Sequence, residues 1–193
     1  EIKKCIGLDK QIIPIIEEAF KNLALDKVTM PPILRLDIEE YHGESDVKAA
    51  YIQGLDSYAI KVASGFFNNP KIGLPSSNGL MILLDSKTGV IKSILLDKGY
   101  LTDIRTAIAG AIAAKYLSNP DSKKVGIIGA GIQAKLQLEA LSLVRNIDTA
   151  FIWARKKDKV SEFIADIKKL NINIQACLLP EEVVNQCEIL VTT

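Results

Sequence analysis

The chain has 193 residues, 48% of them hydrophobic, and its 24 basic and 23 acidic residues leave a formal net charge of only +1. This balance argues against nucleic-acid partners, which usually need a strongly basic face, and no apolar run reaches the length of a membrane span. Three cysteines without zinc spacing, a single histidine (His42) and no signal peptide at the start predict a cytoplasmic protein without a metal site.

The first half of the chain has the apolar patterns of one helix followed by an antiparallel or mixed sheet. Apolar residues at helical spacing predict a helix over residues 9–25, with Asp9 as its N-cap and Pro14 near its start. After Pro31-Pro32, three alternating segments and then two apolar runs predict strands, and the short connection between the two runs, which ends in Gly89, predicts a hairpin. The strand segments lie at residues 33–37, 47–52, 58–62, 80–84 and 90–96.

At Leu101 the composition changes to an alanine-rich helix and then to alternating strands and helices. Thr102 is the predicted N-cap of this helix, which reaches about Leu117. The alternation predicts a parallel sheet covered by helices. Because a doubly wound domain normally continues beyond its fourth strand, we expect the protein to extend beyond Thr193. The predicted strands are 125–128, 150–153, 172–177 and 188–191, and the helices are 133–144, 160–170 and 180–185.

A glycine-rich turn, Gly129-Ala130-Gly131-Ile132-Gln133-Ala134, joins the first of these strands to its helix. Gly129 permits the tight turn, Gly131 lets the backbone approach a pyrophosphate, and Ala134 keeps the helix close to the strand. Because the turn begins a βαβ series, it predicts binding of a nicotinamide dinucleotide, NAD(P). A plain turn that needs small residues is the alternative.

The residues after the second strand of this series are basic, where an acidic residue would favour NAD. Trp153-Ala154 is followed by Arg155 and Lys156, which suit the 2′-phosphate of NADP. The sequence therefore favours NADP, and a lysine-rich surface loop is the alternative.

Three isolated cations are candidates for binding an anionic group. Arg105 is predicted in the first turn of a helix, where its charge opposes the helix dipole unless an anion binds there. Thr106 beside it could donate a hydrogen bond to a phosphate. Arg35 and Lys61 lie in predicted strands, where a solvent-facing position is the usual alternative.

With their surroundings, these cations make the chain resemble the ornithine cyclodeaminase/mu-crystallin family over nearly its whole length. Within that family, residues 43–48 and 65–67 are most similar to the cyclodeaminase-like proteins of ectoine utilisation. The motifs that carry the resemblance are Ile60-Lys61-Val62, Gly65, Asn68-Asn69-Pro70, residues 75–80, Leu96-Asp97, residues 101–107, the glycine-rich turn and Trp153-Ala154-Arg155.

The resemblance implies an α/β homodimer whose subunit has two domains. Residues 1–118 would form an α+β substrate and dimerisation domain, and residues 119–193 the first half of a Rossmann domain that binds NAD(P). Arg35, Lys61 and Arg105 would hold the α-carboxylate of a small amino or imino acid and would thereby orient this substrate. The implied cofactor contacts come from Thr106, Gly129, Gly131, Ile132, Gln133, Ala134, Arg155, Lys156 and Thr192.

The reaction implied by the resemblance is deaminating cyclisation: hydride leaves Cα for the nicotinamide, a side-chain amine attacks the imine, ammonia departs and hydride returns. A ketimine reductase or an amino-acid dehydrogenase would stop after one hydride transfer, and a mu-crystallin-like member would only bind its ligand. Two departures from ornithine cyclodeaminase concern the substrate and the base. Lys48 lies where that enzyme has a glutamate for the distal amine, and the family's catalytic aspartate is expected beyond Thr193.

Overall fold

The computed structural model describes residues Glu1–Thr193, which divide into two units. The first unit comprises Glu1–Ile6 with Glu17–Thr102, and the second comprises Gly7–Ile16 with Asp103–Thr193. None of the helices has both the length and the apolar character needed to span a membrane. The division of roles between residues 1–118 and 119–193 stays a prediction.

A six-stranded antiparallel sheet forms most of the first unit, and all five predicted strand segments are strands. The order is β1-β3-β4-β5-β6, and β2 also pairs with β3. The short helix α1 (Ile2–Cys5) and the helix α2 (Ile12–Ala24), predicted over residues 9–25, precede the sheet. The strands are β1 (Val28–Thr29), β2 (Leu34–Ile38), β3 (Gly43–Ile52), β4 (Ser57–Phe66), β5 (Ser77–Asp85) and β6 (Ile91–Leu95).

The register of these strands gives the two faces of the sheet different polarity, because residues directly opposite one another on neighbouring strands share a face. One face carries Arg35, Asp46, Lys48 and Lys61 and is called the polar face below. The other, the apolar face, carries two rows of apolar side chains. The first row is Leu34, Val47, Val62 and Leu80. The second row is Ala49, Ile60, Ile82 and Ile94.

The second unit contains a four-stranded parallel sheet in the order β10-β7-β8-β9. Numbered from the first strand of this sheet, the order is 4-1-2-3, as in a doubly wound fold. The strands are β7 (Lys124–Ile128), β8 (Thr149–Trp153), β9 (Asn173–Ala176) and β10 (Ile189–Thr192). The helices are α3 (Tyr100–Leu117), α4 (Ile132–Val144), α5 (Lys157–Asp166) and α6 (Pro180–Gln186). The first three residues of α3 belong to the first unit, and the helix from Asp103 onward belongs to the second.

The core of the second unit is made of apolar residues from the predicted strands and helices. Val125, Ile127 and Ile152 from the sheet are fully buried against Leu138 and Phe163 from the helices. This burial is the main favourable contribution to folding and explains why the continuous apolar runs of β7 and β8 lie in the middle of the sheet.

The predicted N-cap of α3 was wrong, because the helix begins at Tyr100 and Thr102 lies inside its first turn. The cap is Asp97, whose Oδ2 accepts a hydrogen bond from the Leu101 N–H at 2.7 Å. Asp97 is only 8% exposed, and two residues with left-handed backbone, Lys98 and Gly99, separate it from the helix. Simple N-cap spacing therefore misses it.

Candidate functional site

The glycine-rich turn begins where β7 ends, and its first glycine has a backbone that other residues rarely adopt. Gly129 has a φ of +121°, and its N–H donates to the carbonyl oxygen of Trp153 at 2.8 Å. A Cβ on Gly129 would lie 2.5 Å from the carbonyl oxygen of Thr193. Position 129 therefore requires glycine both for its conformation and for the close approach of Thr193.

The second glycine of the turn leaves open space instead. Gly131 precedes the first residue of α4 with φ −79° and ψ −171°, and a Cβ there would meet no heavy atom within 4 Å. No side chain caps the first turn of α4, so its backbone N–H groups can bind an anion together with the positive end of the helix dipole. These features fit a pyrophosphate.

A cavity of about 550 Å³, within the range of small-molecule sites, opens at the carboxyl ends of β7 and β8. Four of the predicted cofactor residues line it: Gly129, Gly131, Arg155 and Lys156. The other residues lining it are Ile128, Ala130, Trp153, Ala154, Lys159 and Thr193.

Lys159 and Thr193 are among the lining residues that the sequence reasoning missed. Lys159 lies in the first turn of α5, directly after Lys156, which precedes the helix with extended backbone, and both line the cavity. It also forms an ion pair with Glu162 at 2.7 Å. Thr193 lines the cavity instead of the predicted Thr192, and its N–H donates to the carbonyl oxygen of Ile128 at 2.9 Å.

The remaining predicted cofactor residues do not line the cavity. Ile132 begins α4 and is exposed, whereas Ala134 is completely buried in the core. Thr106 lies on α3, and its carbonyl oxygen accepts a hydrogen bond from the side chain of Gln137 at 3.4 Å. The side chain of Gln133 points to Asp103 of α3: its Nε2 lies 3.0 Å from Oδ1 of that aspartate.

Among the predicted substrate cations, Arg35 lies on the polar face of the first unit between two carboxylates. Its Nε donates to Asp37 at 2.9 Å and its Nη2 donates to Glu44 at 2.5 Å. These hydrogen bonds and charges, that of Asp37 first, raise the pKa of Arg35 above its ordinary value. Its Nη1 is 4.0 Å from Asp46 Oδ1, a longer ion pair than the other two.

Asp46 and Lys48 form a second ion pair on the polar face. Lys48 Nζ donates to Asp46 Oδ2 at 2.9 Å, and this bond, with the charges of Lys48, Arg35 and Lys61, holds the pKa of Asp46 below its ordinary value. Lys48 and Lys61 lie directly opposite each other on β3 and β4. Since like charges in such positions repel, the carboxylate of Asp46 compensates them.

The structure thus brings Arg35 and Lys61 onto one face of the first unit, and places Arg105 on α3 in the second unit. Because α3 begins at Tyr100, Arg105 lies in the second helical turn, not in the first as predicted. Its side chain is exposed. The opposition to the helix dipole is therefore weaker than the sequence indicates, since that effect is confined to the terminal turn.

The parallel sheet, its strand order and the glycine-rich turn beside a cavity define the second unit as a Rossmann-type α/β fold. A sequence model of the ornithine cyclodeaminase/mu-crystallin family matches residues 1–193. The chain belongs to this family, as its motifs predict.

Known relatives agree with this assignment. An uncharacterized cyclodeaminase of Sinorhizobium fredii is 51% identical over 195 residues, which are 100% of this chain and 59% of the relative. The structure of Thermococcus litoralis Δ1-pyrroline-2-carboxylate reductase in complex with NADH and L-proline matches with 34% identity and a TM-score of 0.93, over 98% of this chain and 58% of that one. An archaeal alanine dehydrogenase dimer with bound NAD matches with 32% identity and a TM-score of 0.89, over 100% of this chain and 57% of that one. The chain thus spans 59% of the length of the curated Sinorhizobium fredii relative and of a second one that it matches over its whole length.

Proposed function

We propose that the intact protein is an NAD(P)-dependent enzyme that acts at the Cα of a small amino or imino acid. The observation that carries this proposal is the cavity beside the glycine-rich turn, where Gly131 leaves space for a pyrophosphate next to the uncapped first turn of α4. The bound cofactors named for the Thermococcus litoralis reductase and the archaeal alanine dehydrogenase support it.

The substrate carboxylate is assigned to the three cations singled out in the sequence, Arg35, Lys61 and Arg105. Arg35 would use its Nη1, because its other nitrogens already bind Asp37 and Glu44. Fixed cations orient an amino acid so that its Cα is presented in a single geometry. The nicotinamide, when bound, supplies the hydride chemistry, and the protein supplies orientation and charge.

Two reactions within this class are candidates, and they differ in their need for a distal amine. Cyclodeamination needs one, and the name of the Sinorhizobium fredii relative supports it. Reduction of an imine or dehydrogenation of an amino acid needs none. The ion pair between Asp46 and Lys48 favours this second reaction, because the carboxylate that could bind a distal ammonium already has a lysine partner.

For the cofactor we propose NADP in preference to NAD. Arg155, Lys156 and Lys159 line the cavity after β8, and no carboxylate is among the lining residues to hydrogen-bond a ribose 2′-hydroxyl. Guanidinium and ammonium groups instead bind a 2′-phosphate.

We also propose that the protein is a homodimer formed through the apolar face of the first unit. Leu34 and Ile94 of that face are 55% and 56% exposed, an arrangement typical of a surface covered by a partner. A second copy is the natural partner because a twofold axis pairs identical surfaces. The variant Ile94→Glu should sediment as a monomer, whereas Lys87→Glu in the β5–β6 turn should remain a dimer; a dimeric Ile94→Glu protein would contradict the assignment.

The central experiment is incubation of the intact protein and cofactor with ornithine, lysine, 2,4-diaminobutyrate, alanine and cyclic imino acids. Ammonia release without net change of cofactor would establish cyclodeamination. Oxidation of NAD(P)H with an imine, or reduction of NAD(P) with alanine, would establish the second reaction. Cofactor binding without turnover of any substrate would contradict an enzymatic role and indicate a mu-crystallin-like binding protein.

A further inference from the structure

One side of α4 contacts α3 from its first turn to its last. The Nε2 of Gln133 donates to the backbone oxygen and to Oδ1 of Asp103, at 3.3 and 3.0 Å. One turn later, Gln137 donates to the backbone oxygen of Thr106 at 3.4 Å. At the other end, the guanidinium of Arg145 donates to backbone oxygens in the last turn of α3, including those of Ala114 and Lys115 at 2.9 and 2.8 Å.

Small residues make this close packing of the two helices possible. A Cβ on Gly110 would lie 2.9 Å from Cδ of Gln137, so the absence of a side chain at Gly110 leaves room for the Gln137 side chain in its present position. Ala107, Ala111 and Ala140 in the same contact are completely buried. Well-packed contacts of this kind resist displacement of one helix against the other.

Gln133 occupies a special position in this contact because it is the second residue of α4, four residues after Gly129. Its side chain does not line the cofactor cavity. Its Oε1 is buried and has no hydrogen-bond partner, which is a cost in stability that an apolar residue would avoid. A polar residue at this position is therefore not explained by packing alone.

The contact joins two parts of the proposed site. Gln133 lies within the glycine-rich turn, after its two glycines, and its partner Asp103 precedes Arg105 by only two residues on α3. Fixing the backbone oxygen and the side chain of Asp103 fixes the direction in which the following turn of the helix projects its side chains.

We infer that Gln133 is a positioning residue: through Asp103 it holds Arg105 in a fixed position relative to the glycine-rich turn. It is not itself a cofactor ligand in this assignment. The inference rests on the proposed function, in which Arg105 binds the substrate carboxylate. It predicts that loss of the Gln133 side-chain amide weakens use of the substrate without weakening binding of the cofactor.

The test uses the intact protein with Gln133→Leu, which removes the amide at similar volume. The matched control is Gln186→Leu, because Gln186 is an exposed residue of α6 whose amide contacts only its own helix, at Glu182. Amide hydrogen exchange in residues 103–107 should accelerate about 10-fold in Gln133→Leu and remain unchanged in the control. The KM for the amino or imino acid should rise about 10-fold, while the cofactor Kd changes less than about 3-fold.

A double variant tests whether Gln133 acts through Asp103. In the Asp103→Ala background, Gln133→Leu should raise the KM no further, because the contact is already absent. A 10-fold weaker cofactor Kd with unchanged exchange in residues 103–107 would make Gln133 a cofactor ligand and overturn the inference. Faster exchange throughout the second unit would overturn it as well, since the role would then be general stability. If the wild-type protein turns over no substrate, the proposed function fails, and the local exchange result alone decides whether Gln133 holds this turn.

Discussion

Replacement of Gly129 by alanine should destabilise the protein, because two separate penalties apply at this position. A φ of +121° is strained for any residue with a Cβ, and the new Cβ would lie 2.5 Å from the carbonyl oxygen of Thr193. Backbone strain of this kind costs about 1–3 kcal/mol, and overpacking costs a similar amount. We expect the free energy of unfolding to fall by about 2–6 kcal/mol, which at roughly 2–4 °C per kcal/mol for a chain of this size lowers the Tm by about 4–24 °C.

Gly131→Ala is the matched comparison, because the same added methyl group meets no atom within 4 Å there. Its φ of −79° is allowed for alanine, so the free energy of unfolding should change by less than about 1 kcal/mol. The cofactor Kd should nevertheless rise at least about 10-fold, because the methyl group occupies the space that a pyrophosphate needs.

The stability of each variant can be measured by thermal unfolding, and its cofactor Kd by fluorescence titration of the same preparation. The single tryptophan, Trp153, lines the cavity and reports cofactor binding directly. Equal loss of stability in the two variants would show that Gly131 has no open space beside it. If Gly131→Ala bound the cofactor with wild-type affinity, no pyrophosphate would approach this backbone, and the cavity could not be assigned as the cofactor site.

Three further variants address stability, cofactor choice and pH dependence. Arg145→Ala should lower the free energy of unfolding by about 2–4 kcal/mol in a denaturant titration, because three carbonyl groups at the end of α3 each lose one charged hydrogen-bond donor. Arg145→Lys, which keeps the charge, should recover part of this. Arg155→Ala should weaken NADPH at least about 10-fold and NADH little, and an equal loss for both would refute a 2′-phosphate contact. The backbone N–H groups of Lys123 and Lys124 hold the pKa of Glu188 below its ordinary value, so its contribution to stability is complete above about pH 4.5 and is lost as the pH falls through the lowered pKa. Glu188→Gln should remove that part of the acid sensitivity, and an unchanged pH profile of unfolding would contradict it.

The sequence was sufficient for the elements whose signals are local. Alternating apolar residues located the strands around residues 33–37 and 58–62, and continuous apolar runs located the strand at 80–84 as well as β7 and β8. The glycine-rich turn was found from a fixed motif, because its chemistry depends on small residues at neighbouring positions along the chain. The family followed from motifs of the same local kind.

The cap of α3 and some of the residues that line the cavity could not be predicted from the sequence. Asp97 accepts its hydrogen bond from the helix across two residues with left-handed backbone, and the sequence around Asp97 does not predict this backbone conformation. Thr193 rather than Thr192 reaches the cavity, because the parallel pairing of β10 with β7 determines which residue lies beside the glycine-rich turn. Pairing between distant strands is decided by tertiary packing.

By itself, the sequence determined the βαβ series, the glycine-rich turn and the identities of the candidate cations, since each depends on residues close together in the chain. Only the tertiary structure decided what those side chains contact. Arg35 lies between Asp37 and Glu44 because the register of β2 on β3 places Glu44 beside it. Gln133, which the motif assigns to the cofactor, binds Asp103 because α3 and α4 pack closely. Contacts between segments separated in sequence depend on how the elements pack, and no local pattern encodes them.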